Sequence, residues 1–73
     1  MPHRMKSEVI KDPNVMGGQP VLRGTRVPAH FVAWLVKRGV SEFDILDDYP
    51  SLTREDIRVA VAYAAVHPQP DEG

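Results

Sequence analysis

Cysteine is absent from the 73-residue sequence, so no disulfide ties the chain together, no thiolate serves as a nucleophile, and the commonest structural zinc sites are excluded. Histidine is scarce: His3, His30 and His67 fall one to a segment without the close spacing of metal ligands, and the expectation is no metal and no cofactor. The serines and histidines stand in no nucleophile motif, and Gly17-Gly18 with Gly24 lacks the lysine and the strand-turn-helix setting of a phosphate loop. These gaps lead to the expectation of a protein that is not an enzyme. No apolar run approaches the roughly 20 residues that cross a bilayer, and the basic stretch from Met1 to Ser7 leads into no long apolar segment. The expected location is therefore cytoplasmic, with no membrane partner.

A chain this short buries only about 60% of the surface it exposes when unfolded, which makes one small core and marginal stability the expectation. With disulfides and cysteine-bound zinc absent, a second protein chain is the remaining support. The domain division read from the sequence is a basic N-terminal segment over 1–7, a folded domain over 8–67 and a flexible tail over 68–73.

The net charge of −1 conceals a division. Up to Arg38 the positive residues Arg4, Lys6, Lys11, Arg23, Arg26, Lys37 and Arg38 oppose only Glu8 and Asp12; beyond it Arg54 and Arg58 oppose Glu42, Asp44, Asp47, Asp48, Glu55, Asp56, Asp71 and Glu72. Two faces suited to partners of opposite sign are implied.

Local patterns predict a mainly α fold, with a short N-terminal β-hairpin followed by a three-helix, helix-turn-helix-like bundle. Asp12-Pro13-Asn14 is a turn signal after Val9-Ile10, and the adjacent glycines 17 and 18 imply backbone at positive φ or close to another segment. Pro20-Val21-Leu22 is expected to face Arg26-Val27-Pro28 across Arg23-Gly24-Thr25. Helical spacing then predicts a helix from about Pro28 to Arg38, ended by Gly39. Ser41 and Thr53 read as N-caps of two more helices, with Phe43, Ile45, Leu46 and Tyr49 expected to face the core from the second before Pro50 stops it. The acidic set Asp44, Asp47, Asp48, Glu55 and Asp56 is better explained by capping and helix surface than by magnesium.

The third helix is apolar nearly all round. Ile57, Ala60, Val61, Ala64 and Ala65 make one stripe, and Val59, Ala62, Tyr63 and Val66 make a second, read as a dimer interface because the short chain lacks the material to cover both. Exposed alanines are the competing reading. Helices two and three have helix-turn-helix proportions, so Arg4, Lys6, Arg54 and Arg58 are the candidates for contact with operator DNA. Glu55 and Asp56, at the start of the would-be recognition helix, oppose that role. Arg23-Gly24-Thr25-Arg26 is the strongest candidate binding element, because a tight turn presenting two guanidinium forks suits carboxylate or phosphate; a solvated hairpin tip is its plain alternative.

Asp12-Pro13, Gly17-Gly18-Gln19-Pro20, Gly24-Thr25-Arg26, Gly39-Val40-Ser41, Tyr49-Pro50-Ser51-Leu52-Thr53 with Glu55-Asp56-Ile57, and the alanine-rich stretch Ala60 to Ala65 occur in one order. Over about residues 8–66 this pattern resembles the bacterial and archaeal family called domain of unknown function 433. The resemblance implies a helix-turn-helix-like fold and a VapB-type role as the antitoxin of a type II toxin-antitoxin pair, with a PIN-type ribonuclease as the toxin. On that reading Arg23, Gly24, Thr25 and Arg26 bind the toxin, an arginine entering the acidic site where such nucleases hold magnesium. The rival readings are a dimeric DNA-binding regulator of its own operon and a structural subunit of a larger assembly.

Overall fold

The computed structural model describes residues 6–68. Two short strands, β1 (Val9–Lys11) and β2 (Pro20–Leu22), precede three helices, α1 (Ala29–Lys37), α2 (Glu42–Asp48) and α3 (Arg54–Val66). The domain is mainly α with a two-stranded antiparallel hairpin at its N-terminal end. The pairs are Val9 with Leu22, Ile10 with Val21 and Lys11 with Pro20.

The main partner of β2 is β1, and the expected partner forms only a short contact on the other edge of the strand. Pro20-Val21-Leu22 was read against Arg26-Val27-Pro28, but only a single bridge from Val21 to Pro28 forms there. Pro28 has no N–H to extend that ladder, whereas Val9-Ile10-Lys11 supplies a full edge. Between the strands, Asp12 turns the chain: its carboxylate accepts from Asn14 N–H at 2.9 Å and its carbonyl from Val15 N–H at 2.8 Å. Gly17 and Gly18 then adopt φ of 67° and 89°, the left-handed backbone that the glycine pair implies.

Each helix boundary follows from a local cap. Past the end of α1, Gly39 at φ 90° lets its own N–H reach the Val36 carbonyl at 2.9 Å and the Val40 N–H reach that of Leu35 at 3.0 Å, a Schellman ending. Ser41 Oγ accepts from Asp44 N–H at 3.1 Å to start α2. Thr53 and Asp56 form a reciprocal capping box at the start of α3.

The core is a cluster of Leu22, Ala29, Val32, Ile45, Leu52, Ile57 and Ala60, and its chief framework is the packing of α1 on α3. Two expectations fail here. Phe43 is 78% exposed while Ile45 is buried, because residues two apart in a helix point about 200° apart and α2 turns Ile45 inward. The inward face of α3 also lies rotated from the expected stripe. It carries Asp56, Ile57 and Ala60, with Val59, Tyr63 and Ala64 half-buried, and leaves Val61 and Ala65 exposed. Contact of β1 with α3 and of the His30 ring with Tyr63 draws that side of the helix inward.

Candidate interaction surface

The turn from Arg23 to Arg26 is held by its own hydrogen bonds. Leu22 N–H donates to the Val27 carbonyl and Thr25 N–H to the Leu22 carbonyl, both at 3.0 Å. The Thr25 hydroxyl donates to the same Leu22 carbonyl at 2.8 Å and accepts from Val27 N–H at 3.0 Å. Gly24 sits at φ 80°. A threonine two residues before Val27 and a glycine before it therefore make a stiff platform from a tight segment.

The two arginines on that platform are not equivalent. Arg23 Nη1 donates to Glu8 Oε2 at 2.6 Å, and its backbone N–H donates to the Glu8 carbonyl at 2.8 Å. Arg26 is exposed and has no ion pair among the described residues. Glu8, on the segment entering β1, is thus a part of this site that spacing along the sequence does not reveal. A polar cleft of about 220 Å³ adjoins the turn and is lined by Lys6, Ser7, Arg23, Gly24, Thr25, Ser51, Thr53 and Asp56. Lys6, read as a DNA contact, therefore lies with the turn read as a toxin contact.

The other DNA candidates lie elsewhere. Arg54 Nε donates to Glu42 Oε1 at 3.3 Å, and Arg58 borders a depression with Glu42, Val36 and Val61. Arg4 lies outside the described residues, as do 1–5 of the basic segment and 69–73 of the tail.

The residues read as a dimer interface, Val59, Ala62, Tyr63 and Val66, do share one shallow depression, together with Ser7, Glu8, Val9 and His67. Val59 and Tyr63 are half-buried and packed against the chain's own core, while Ala62 and Val66 are exposed. A longer groove runs between α1 and α3, about 510 Å³ in volume and lined by His30, Ala33, Trp34, Val36, Lys37, Val61, Ala64, Ala65 and Pro68. At one end His30 Nε2 lies 2.6 Å from the His67 carbonyl oxygen, with the Tyr63 ring between the two histidines. Trp34, half exposed, stacks on Phe31, and the Arg38 guanidinium sits 5.0 Å from its centroid. Trp34 is not among the candidate residues that the sequence patterns single out. Its spacing of four from Arg38, which brings the two together on the outer surface, is the signal that would have found it.

Among the described residues no three side chains of histidine, aspartate or glutamate come together as a ligand set for a metal ion. No described helix is long and apolar enough to cross a membrane.

The fold is a small mainly α domain whose surface carries a pinned turn with an exposed arginine and, separately, an apolar groove between two helices. The chain belongs to the family described as protein of unknown function DUF433, whose model matches residues 9–64. It is 47% identical over 60 residues to y4eO of Sinorhizobium fredii (strain NBRC 101917 / NGR234), described as an uncharacterized protein; the match covers 82% of this chain and 27% of that protein. The chain thus spans about a quarter of that relative's length. It is also similar to the crystal structure of a DUF433 member from Anabaena variabilis ATCC 29413, at 36% identity and a TM-score of 0.69, over 82% of this chain and 59% of that one.

Proposed function

We propose that this domain is a non-enzymatic, VapB-type antitoxin, the half of a type II pair that binds and neutralises a PIN-type ribonuclease. The observation that carries the reading is Arg26: an exposed guanidinium without an ion pair among the described residues, on a turn stiffened by four hydrogen bonds. The stiff turn spares the cost of ordering its backbone on binding, and the permanently charged fork matches the clustered carboxylates with which such nucleases hold magnesium. Seated there, it excludes both the metal and the RNA phosphate. Lys6, which lines a cleft with Arg23, Gly24 and Thr25 of the same turn, adds to the positive field.

The test is whether a neighbouring gene encodes a PIN-type nuclease that copurifies with this chain, followed by RNA cleavage by the pair. Arg26→Glu should abolish inhibition while Arg23→Ala, which removes a guanidinium engaged with Glu8, weakens it less. Full inhibition by Arg26→Glu would sink the arginine-plug mechanism.

Operator binding is the second reading, favoured by the common position of Lys6 and Arg23 at one cleft. In it the basic N-terminal side, not α3, contacts the phosphates, because Arg54 is engaged with Glu42 and Glu55 stands exposed beside it.

A further inference from the structure

Two surface features stay unmatched among the described residues. The first is the strip between α1 and α3. Antiparallel packing sets His30 near His67 at one end and Val36 near Ile57 and Val61 at the other. Two depressions, of about 510 and 340 Å³, share Val36 and Val61 and make the strip continuous. Along it Trp34 is 50% and Val61 38% exposed. Its margins are basic: Lys37 lines it, Arg38 lies over Trp34, and Arg58 flanks the far end. Glu42, the one acid among the lining residues, is engaged with Arg54.

The second feature is α2. It carries Glu42, Asp44, Asp47 and Asp48 with no basic residue, and among them the ring of Phe43, 78% exposed. Among the described residues the ion pairs are Arg23 with Glu8 and Arg54 with Glu42. Among the described residues, Lys37, Arg38 and Arg58 therefore have no ion-pair partner, and neither do Asp44, Asp47 and Asp48. An apolar groove with a basic rim and an apolar knob with an acidic rim stand on one molecule.

We propose that the α1–α3 groove receives α2 of a second copy of this chain, with Phe43 entering beside Trp34 and Val61 while Asp44, Asp47 and Asp48 meet Lys37, Arg38 and Arg58. The dimensions agree: seven residues of α2 span about 10 Å and the nine residues of α1 set a groove of about 13 Å. Groove against groove is disfavoured, since it sets like charges of the two rims together. A standard interface needs about 800 Å² from each partner, a modest share of the 5452 Å² that the chain exposes. This surface shares Ala62 with the expected set but lies one face round α3 from Val59, Tyr63 and Val66, of which Val59 and Tyr63 are already engaged by the chain's own core.

The full chain should sediment as a dimer or larger assembly at micromolar concentration, and high salt should weaken it. Phe43→Ser and Val61→Asp should each raise the dissociation constant at least about tenfold, with circular dichroism unchanged because both side chains are exposed. An equimolar mixture of the two variants should associate again, since one retains an intact groove and the other an intact knob. Should Val61→Asp fail to fold, Lys37→Glu with Arg38→Glu replaces it, and mixing with Asp44→Lys, Asp47→Lys restores the assembly. A monomeric parent chain, or Phe43→Ser associating as tightly as the parent, overturns the proposal. So does a mixture that stays monomeric. None of these readouts involves a nuclease, so they stand apart from the antitoxin reading.

Discussion

Thr53 and Asp56 cap one another: Thr53 N–H donates to Asp56 Oδ2 at 2.9 Å, and Asp56 N–H donates to Thr53 Oγ1 at 3.1 Å. Asp56 is only 6% exposed, the one buried charged side chain among the described residues, and its position at the head of α3 sets it where the orphan N–H groups of the first turn favour a carboxylate.

Asp56→Ala removes an acceptor from a nearly buried donor as well as the carboxylate. The expected loss of stability is about 1–2 kcal/mol, with Thr53→Ala costing about 1 kcal/mol. Urea unfolding followed by circular dichroism measures both. An Asp56→Ala midpoint equal to that of the parent would mean that the box contributes nothing.

Ile45 anchors α2, a seven-residue helix too short to persist without packing. Ile45→Ala should cost about 2–5 kcal/mol, close to the whole stability of so small a domain, and leave much of the chain unfolded at room temperature. Loss of less than about 1 kcal/mol would show that α2 is held by other contacts.

Glu8→Ala frees the guanidinium of Arg23. The pair is about half exposed on each side, so unfolding should shift by less than about 1 kcal/mol. On the proposed function the same substitution tightens nuclease inhibition, because a second fork becomes available beside Arg26. Weaker inhibition at unchanged stability would assign Glu8 itself to the contact.

Operator binding by the isolated chain is expected to be weak and steeply salt-dependent. In a mobility shift on the upstream promoter, Lys6→Ala with Arg26→Ala should weaken it, whereas Arg54→Ala with Arg58→Ala should change it little. The opposite pattern would make α3 the reading helix.

The helix boundaries were legible because each is decided within four residues. Ser41 with Asp44, Thr53 with Asp56 and Gly39 after Lys37-Arg38 each satisfy backbone groups of their own turn, whatever the rest of the chain does. The glycine pair at 17 and 18 and the Asp12 turn were legible on the same ground. Of the candidate surface, the tight turn at Gly24 was visible, since glycine flanked by short apolar runs has few other uses.

Which faces turn inward was not decided at that range. β2 uses both edges, a three-residue ladder with Val9–Lys11 on one and a single bridge from Val21 to Pro28 on the other, and the first of these joins segments separated by the Asp12 turn and the glycine pair. That pairing brings Glu8 to Arg23 and β1 to α3, and so takes one arginine out of the expected fork and rolls Val59 and Tyr63 toward the core. The order of residues in α3, apolar on nearly every side, together with the chain's length, led to the expectation of more apolar helix than one small core covers. Only tertiary packing decided that the surplus lies at Trp34, Val61 and Phe43, because burial is settled by what each helix meets and not by its own periodicity.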